Sequence, residues 1–568
     1  MLEAIQHLSG NILFDIGLIL VMAMLVAYIA KLIKQPLIPA YIIAGLILGP
    51  IGLGIIQDTE IIKSISEIGI IFLLFIVGIE MDFKKLKSLG LTAIITGTLQ
   101  IGFTFLAGYF IFNNFLHFDQ LNSIYAGLII AFSSTMVVLK LLSDEEELLT
   151  LHGRLILGIL FVQDIFVILA LTIFVGADSI TIMSLLPVLG KFIGLMLFAY
   201  LLNRFLIFPI FKFAAKSQEL LFLLSLGVCF IFVMIAHLLG LSVAIGALLA
   251  GITIANIPYN LNIVSSVSPL KDFFAVIFFV SLGLQMIMPE IGSILTPFFI
   301  LLALTILLKP FIILLVLSLI GYDKRNSFTS AISLAQISEF SLILVITVKD
   351  ISQELFSATI LLAIFSIALT SYIIKYELQI YHILSKPLTI FEYLRLSKRY
   401  EQKEKKHNKK IVLFGYHRMG KTFMKALKKL KRSVLVIDYN PDAIEELTEQ
   451  RIASRYGDMA NLEVLKSINL KDAKVVISSA PKQQDNIYLL KYLKKVKSKA
   501  IVFVTANQLY EALDLYDYGA DYVIVPKIMS GESVSLILQK FMENKKGLTK
   551  VKKEHLKHLL EISDEERL

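Results

Sequence analysis

Thirteen predominantly apolar stretches follow one another between residue 12 and residue 380. A bilayer core takes roughly 20 apolar residues of helix to cross, fewer where a helix is broken or re-entrant. The stretches lie at about 12–33, 36–50, 65–81, 90–113, 122–142, 153–176, 184–211, 219–239, 241–257, 272–289, 296–320, 327–349 and 356–380. Spans eight and nine almost meet at Leu239-Gly240-Leu241. No basic region precedes the first stretch, so it reads as a helix and not as a cleaved signal. A chain that is 57% hydrophobic and 17% charged is too apolar for an ordinary soluble protein.

Basic residues give an independent test of the count. Lys31 and Lys34, then Lys84, Lys85 and Lys87, then Arg154, then Arg204, Lys212 and Lys216, then Lys271, then Lys324 and Arg325 fall in alternate loops. The other loops hold little beyond Lys63 and Lys349. That alternation predicts an odd number of spans, with the N-terminus outside and the C-terminal region in the cytoplasm. The net charge of +9 is therefore a topology and lipid signal, with no nucleic-acid partner expected. Cys229 is the single cysteine, which excludes an intrachain disulfide and a multi-cysteine metal site.

Ionisable groups inside apolar spans are costly, so each calls for a partner, a cavity or a function. Asp164 stands midway along span six in Phe161-Val-Gln-Asp-Ile165. A carboxylate at that depth can take a dehydrated monovalent cation or a proton, and competition for one site is the simplest basis for exchange; the alternative is a carboxylate that pairs two helices. Lys309, in Leu308-Lys-Pro310 of span eleven, can act as counter-ion to Asp164, hold a releasable proton, or form a fixed structural bridge. Gln336, Ser338 and Glu339 interrupt span twelve, and Ser133-Ser134-Thr135 interrupts span five. Polar breaks in corresponding helices of two halves point to a transporter's midplane site. The order of these features also suggests an inverted repeat.

Together the motifs resemble the monovalent cation:proton antiporter-2 family, and within it the Kef-type potassium efflux systems. They are Ala131-Phe-Ser-Ser-Thr135, Phe161-Val-Gln-Asp-Ile165, Gly240-Leu-Ser-Val-Ala-Ile-Gly-Ala-Leu-Leu-Ala-Gly251, Phe278-Phe-Val-Ser-Leu-Gly283 and Gln336-Ile-Ser-Glu-Phe340, in the family's order with Lys309 before the last. The resemblance implies a fold of 13 transmembrane helices with two broken crossing helices, a homodimer, and elevator-like alternating access. It implies Asp164 as the carboxylate that binds potassium or sodium, with Ser133, Ser134 and Thr135 at the crossing. Gln163 stands where many electrogenic sodium exchangers carry a second acid, which favours potassium-for-proton exchange. Glutathione control and an ancillary regulatory subunit are implied by the resemblance alone.

Beyond a polar linker from about Ser385 to Asn408 the pattern changes. Short apolar strands at 411–415, 434–438, 475–478, 501–505 and 522–525 alternate with amphipathic helices, which predicts a parallel, doubly wound α/β sheet of Rossmann-like type. The first turn reads Gly415-Tyr-His-Arg-Met-Gly420, with His417 where the dinucleotide fingerprint has a further glycine. Arg418, Met419 and Gly420 open a helix whose free N–H groups suit a phosphate. Asp438, at the end of the second strand, suits ribose hydroxyls or else caps a helix. Tyr456-Gly-Asp458 and Gly519-Ala-Asp521 resemble the potassium-conductance regulator (TrkA-N) domain, which implies that Asp458 approaches an adenosine. The expected ligand is AMP or another adenine nucleotide, or NAD(H).

The domains expected are thus 1–382 in the membrane, a linker at 383–408, the nucleotide domain at 409–535 and a solvated tail at 536–568. A potassium channel would need a carbonyl filter of the Thr-Val-Gly-Tyr-Gly kind, which the sequence lacks. A membrane oxidoreductase would need a haem or flavin constellation. The reading is a transporter in a prokaryotic inner membrane and not an enzyme.

Overall fold

The computed structural model describes residues 12–393 and 410–543, except 57–59, 82, 145–146, 149, 177–181, 256, 287–290, 349, 417, 430–433, 458 and 460–461, together with Leu556. The chain divides into two compact units, 1–399 and 400–568.

The first unit is helical. Its helices are α1 (Ile12–Leu32), α2 (Leu37–Leu48), α3 (Glu60–Glu80), α4 (Phe83–Asn114), α5 (Gln120–Ala131), α6 (Thr135–Asp144), α7 (Leu151–Gly176), α8 (Ile182–Leu202), α9 (Phe208–Ala214), α10 (Gln218–Leu238), α11 (Val243–Ile254), α12 (Asn260–Leu284), α13 (Ile291–Ala303), α14 (Lys309–Ile320), α15 (Lys324–Ser333), α16 (Glu339–Thr347), α17 (Gln353–Lys375) and α18 (Glu377–Tyr393). Among the described residues nine helical segments are long and apolar enough to cross a membrane, and α2 and α11 are shorter apolar helices. Each of the thirteen apolar stretches falls on one helix or on an interrupted pair. Wide π turns at Asn203–Ile207 and Leu304–Leu308 join α8 to α9 and α13 to α14.

Several helix ends differ from the sequence reading by a few residues, and two differ most. Helix α12 starts at Asn260, well before the expected 272, because Pro269 lies inside it without ending it and its first turns are polar. Helix α18 runs to Tyr393, so the first part of the expected linker is helical.

Close crossings of α2 with α12 and of α3 with α11 build the part of the core away from the breaks. Both depend on glycine. A Cβ on Gly45 would fall on the Val280 carbonyl and the Gly283 Cα, and one on Gly78 would fall on the Leu248 carbonyl and the Gly251 Cα. The crossings also match in sequence: Ala44-Gly45 corresponds to Ala250-Gly251, and Gly78-Ile-Glu-Met81 to Gly283-Leu-Gln-Met286. Helices α4, α5, α7, α14, α15 and α17 gather around the interrupted spans.

The second unit carries β1 (Ile411–Phe414), α19 (Arg418–Lys429), β2 (Val434–Asp438), α20 (Pro441–Glu449), β3 (Ser454–Tyr456), α21 (Leu462–Ser467), β4 (Val475–Ser478), α22 (Gln483–Lys495), β5 (Ile501–Thr505), α23 (Leu509–Asp517), β6 (Tyr522–Ile524) and α24 (Pro526–Glu543). Its six strands are all parallel in the order β3-β2-β1-β4-β5-β6. Side chains alternate across the pleat. Val412 and Phe414 enter one apolar layer and Leu413 the other, so the sheet is covered on both faces. Strand β3 escaped the sequence reading because Ser454–Tyr456 is a three-residue edge strand without an apolar run. Helix α24 runs to Glu543, across the expected boundary at 535. His417, Asp458 and, apart from Leu556, the expected tail beyond Glu543 lie outside the described residues.

Candidate functional site

Two spans are interrupted in mid-course. Helix α5 stops at Ala131, the chain turns extended at Phe132, and α6 begins at Thr135. Helix α15 stops at Ser333, and α16 begins at Glu339 after an extended Ser338. Ser133 Oγ donates to the Leu334 carbonyl at 2.9 Å and Ser341 Oγ to the Ile129 carbonyl at 2.8 Å, so the breaks are laced together.

An interrupted helix leaves carbonyls at one stump and N–H groups at the other, and the stumps carry partial charges of opposite sign. Lys309 serves the carbonyl stumps. Fully buried, its Nζ donates to the Phe132 carbonyl at 2.9 Å, the Gln336 carbonyl at 2.8 Å and Ser133 Oγ at 3.0 Å. Pro310 follows it, and the Lys309 N–H reaches back to Leu304 across the π turn, which sets the register from which the ammonium reaches both breaks. Thr370 Oγ1 donates to the Ala335 carbonyl at 2.8 Å, and the Ile337 N–H donates to Ser366 Oγ at 3.4 Å.

The acids sit at the other ends. Asp164 accepts from Thr135 Oγ1, at 3.1 and 3.2 Å to its two oxygens, where α6 begins. Glu339 is the first residue of α16. It lies buried against Ser134 and the Met136 backbone, within electrostatic reach of Asp164. Ser134 Oγ meanwhile accepts from the Val137 N–H at 3.2 Å and caps α6. Each carboxylate thus occupies the positive end of a half-helix, where a negative charge is favoured. Among the described residues, the Glu339 carboxylate oxygens, both amide atoms of Gln336 and Thr305 Oγ1 are buried without a hydrogen bond of ordinary geometry. Buried polar atoms rarely stay unsatisfied, so these can serve a cation or its residual water.

Of the three readings of Lys309, one is corrected. Lys309 is not the counter-ion of Asp164: its three donors are spent on the breaks, and Asp164 is held by Thr135. Gln163, the chain neighbour of Asp164, is engaged by the break and by α4. Its Oε1 accepts from the Ser133 N–H at 2.8 Å and its Nε2 donates to Gln100 Oε1 at 2.6 Å. The sequence reading passed over Gln100, Thr104, Ser366 and Thr370. A signal was present: Thr92, Thr96, Gln100 and Thr104 recur every four residues and are all buried, a polar stripe on one face of an apolar helix.

In the second unit β1 lies between β2 and β4, the reversal of strand order at which ligands bind in open α/β sheets. Gly415 has φ +86°, open to glycine at little cost. A Cβ on Gly420 would fall on the Gly415 carbonyl, so both glycines are needed for this turn. Asp438, buried at the end of β2, accepts from the Tyr416 N–H at 2.5 Å and the Asn440 N–H at 2.6 Å. It therefore caps locally, as one alternative held, and a carboxylate retains lone pairs for a ribose. Lys421 ties α19 to α20 through Glu446 at 2.8 Å and lies over the Tyr416 ring. The glycine cradle, the α19 N-terminus at Arg418 and Met419, and Asp438 fit the phosphate and ribose of a nucleotide.

Crossed, interrupted helices with buried acids on their positive stumps define a multi-pass membrane transporter. The chain belongs to the sodium/hydrogen exchanger transmembrane family, whose pattern matches residues 19–378, and it carries a TrkA-N domain over residues 411–526. It is 31% identical to the iron transporter MagA of Paramagnetospirillum magneticum, over 60% of this chain and 80% of that protein. It is 29% identical to K(+) efflux antiporter 5 of Arabidopsis thaliana, of which it spans 61%. The glutathione-regulated potassium-efflux system protein KefC of Shigella sonnei matches at 26% identity over 80% of this chain and 73% of its own length, which makes the chain Kef-type in its pairing of exchanger and TrkA-N domains. In fold, the sodium proton antiporter NhaP1 of Methanocaldococcus jannaschii aligns with a TM-score of 0.52 at 21% identity, covering 66% of this chain and 97% of that one.

Proposed function

We propose that the protein exchanges potassium for protons by alternating access, under control of an adenine nucleotide at its TrkA-N domain. One observation carries the reading: Asp164 and Glu339 occupy the positive stumps of two crossed half-helices, while Lys309 is fixed on the negative ones. A site so arranged holds a cation or a proton at the acids and keeps its fixed positive charge elsewhere. Kinship with KefC and the plant efflux antiporters supports potassium. Sodium is the alternative cargo, favoured by a second acid near Asp164. The matched glycine crossings support thirteen spans arranged as an inverted repeat. The loop charges support an outside N-terminus and a cytoplasmic TrkA-N domain in a prokaryotic inner membrane.

Purified protein in proteoliposomes decides the cargo. An imposed potassium gradient should drive proton movement, and a sodium gradient should drive less. Equal or greater flux with sodium reverses the assignment, and no flux with either cation refutes exchange.

On the regulatory side the proposed site comprises Gly415, Met419, Gly420 and Asp438, and His417, Arg418 and Asp458 are added to it from the sequence motifs alone. AMP is the proposed ligand and NAD(H) the alternative. Homodimerisation and an ancillary subunit are proposed on the Kef resemblance. Asp438→Ala should weaken nucleotide binding to the full-length protein about tenfold or more, since it removes a ribose acceptor and two turn-fixing bonds. Isothermal titration with AMP and with NADH measures this, and unchanged affinity for both would reject the ribose role.

A further inference from the structure

We propose that Gln100 of α4 is a positioning residue for ion exchange, holding the break of span five in the one register that brings Thr135 to Asp164; this rests on the exchange reading above. Gln100 is fully buried. The bonds that pass through it have a single direction. The Ser133 N–H donates to Gln163 Oε1 at 2.8 Å, which turns Gln163 Nε2 toward Gln100 Oε1 at 2.6 Å. Gln100 Nε2 then gives one hydrogen to the Ala131 carbonyl at 2.9 Å and the other to Thr104 Oγ1 at 2.8 Å. Thr104 returns its own hydroxyl hydrogen to the Gln100 carbonyl.

Reversing the Gln163 amide would set donor against donor at Ser133, and reversing Gln100 would set oxygen against oxygen at Ala131. The circuit therefore begins and ends on the same break, on the residues flanking Phe132. Thr135, two residues beyond Ser133, holds Asp164, and Asp164 is the chain neighbour of Gln163. Gln100 thus governs where the Asp164 oxygens stand without touching them.

Two further features point the same way. Helix α4 can approach α5 this closely only through glycine. A Cβ on Gly108 would fall on the Gly127 Cα, and one on Gly127 would fall on the Phe105 carbonyl. The second break is closed differently, by the freely turning hydroxyls of Ser366 and Thr370. Among the described residues, the break beside Asp164 alone is held by a directional pair of amides.

The test uses the full chain. Gln100→Ala should raise the half-saturating potassium concentration for proton flux about tenfold, with a smaller fall in maximal rate. Gln100→Glu is the conservative arm. When protonated, its carboxyl offers one donor for the Ala131 carbonyl and an acceptor for Gln163, losing of the amide's bonds only the one given to Thr104; when ionised, it sets a carboxylate against the Ala131 carbonyl. Its half-saturation should therefore return toward the wild-type value as the pH is lowered, a profile that a merely structural residue would not give. The rise in Tm that potassium produces in detergent reads binding without transport, and it should shrink in the alanine variant. If half-saturation, pH profile and potassium-induced Tm rise match the wild type in both variants, even with a lower Tm in the absence of potassium, the proposal is overturned. Should the alanine variant fail to fold, the acid recovery of Gln100→Glu decides alone. A wild type that gains Tm with potassium yet moves no protons would refute exchange and leave the Gln100 comparison standing.

Discussion

Asp164→Asn should yield a folded protein whose cation-driven proton movement has fallen to that of protein-free vesicles. Folding should survive because the described hydrogen bonds of Asp164 are those with Thr135 Oγ1, and an amide can meet that hydroxyl with either of its atoms. Transport should not survive. In a medium of low polarity a cation needs a full opposite charge to replace its lost hydration, and an amide dipole supplies only part of one. An amide also cannot take up and release the proton that moves in the return half of the cycle. Proton flux under an imposed potassium gradient, with the variant's unfolding temperature measured beside it, separates loss of chemistry from loss of fold. Exchange retained at a substantial rate would move the ion to Glu339.

What the sequence made legible, and what it hid, follows from the physics of each signal. Apolar stretches and polar interruptions survive as local patterns, so the spans, both breaks and the buried acid were readable without coordinates. The second unit was readable for the same reason wherever a strand carried an apolar run. The partners of buried polar groups were not. Lys309 and Asp164 are the most conspicuous opposite charges within the spans, and pairing them is one of the three readings the sequence allows. The structure instead sends the ammonium to carbonyls at 2.8 and 2.9 Å. Those acceptors come into being only when the two spans break, and no composition displays a backbone carbonyl as vacant. The partners of Gln163 were hidden for the related reason that one of them is a main-chain N–H. Gln100 was overlooked because one neutral amide in an apolar run is unremarkable until Thr92, Thr96 and Thr104 are read with it as one face. The glycine crossings show the opposite case. Gly45, Gly78, Gly251 and Gly283 stand in readable motifs, yet their correspondence emerges only when the pairs are seen in contact.

Lys309→Met should cost about 3 kcal/mol of stability or more, because hydrogen bonds to a charged group contribute roughly 1.5–3 kcal/mol each and the substitution leaves the buried Phe132 and Gln336 carbonyls unserved. Lys309→Gln should lose less, since its amide can still donate to one or both of them. Thermal unfolding in detergent ranks the variants. The transport readout then separates two roles that the sequence left open. A lysine that carries the exchanged proton changes the charge moved per cycle when it is neutralised. A lysine that fastens the negative ends of the half-helices changes stability and rate and leaves that charge alone. Because all three donors of Lys309 are engaged by the crossing and none by Asp164, the charge moved per cation by Lys309→Gln should equal that of the wild type. Current and flux recorded on the same proteoliposomes on a solid support measure it, and a different charge per cation would return Lys309 to the proton path.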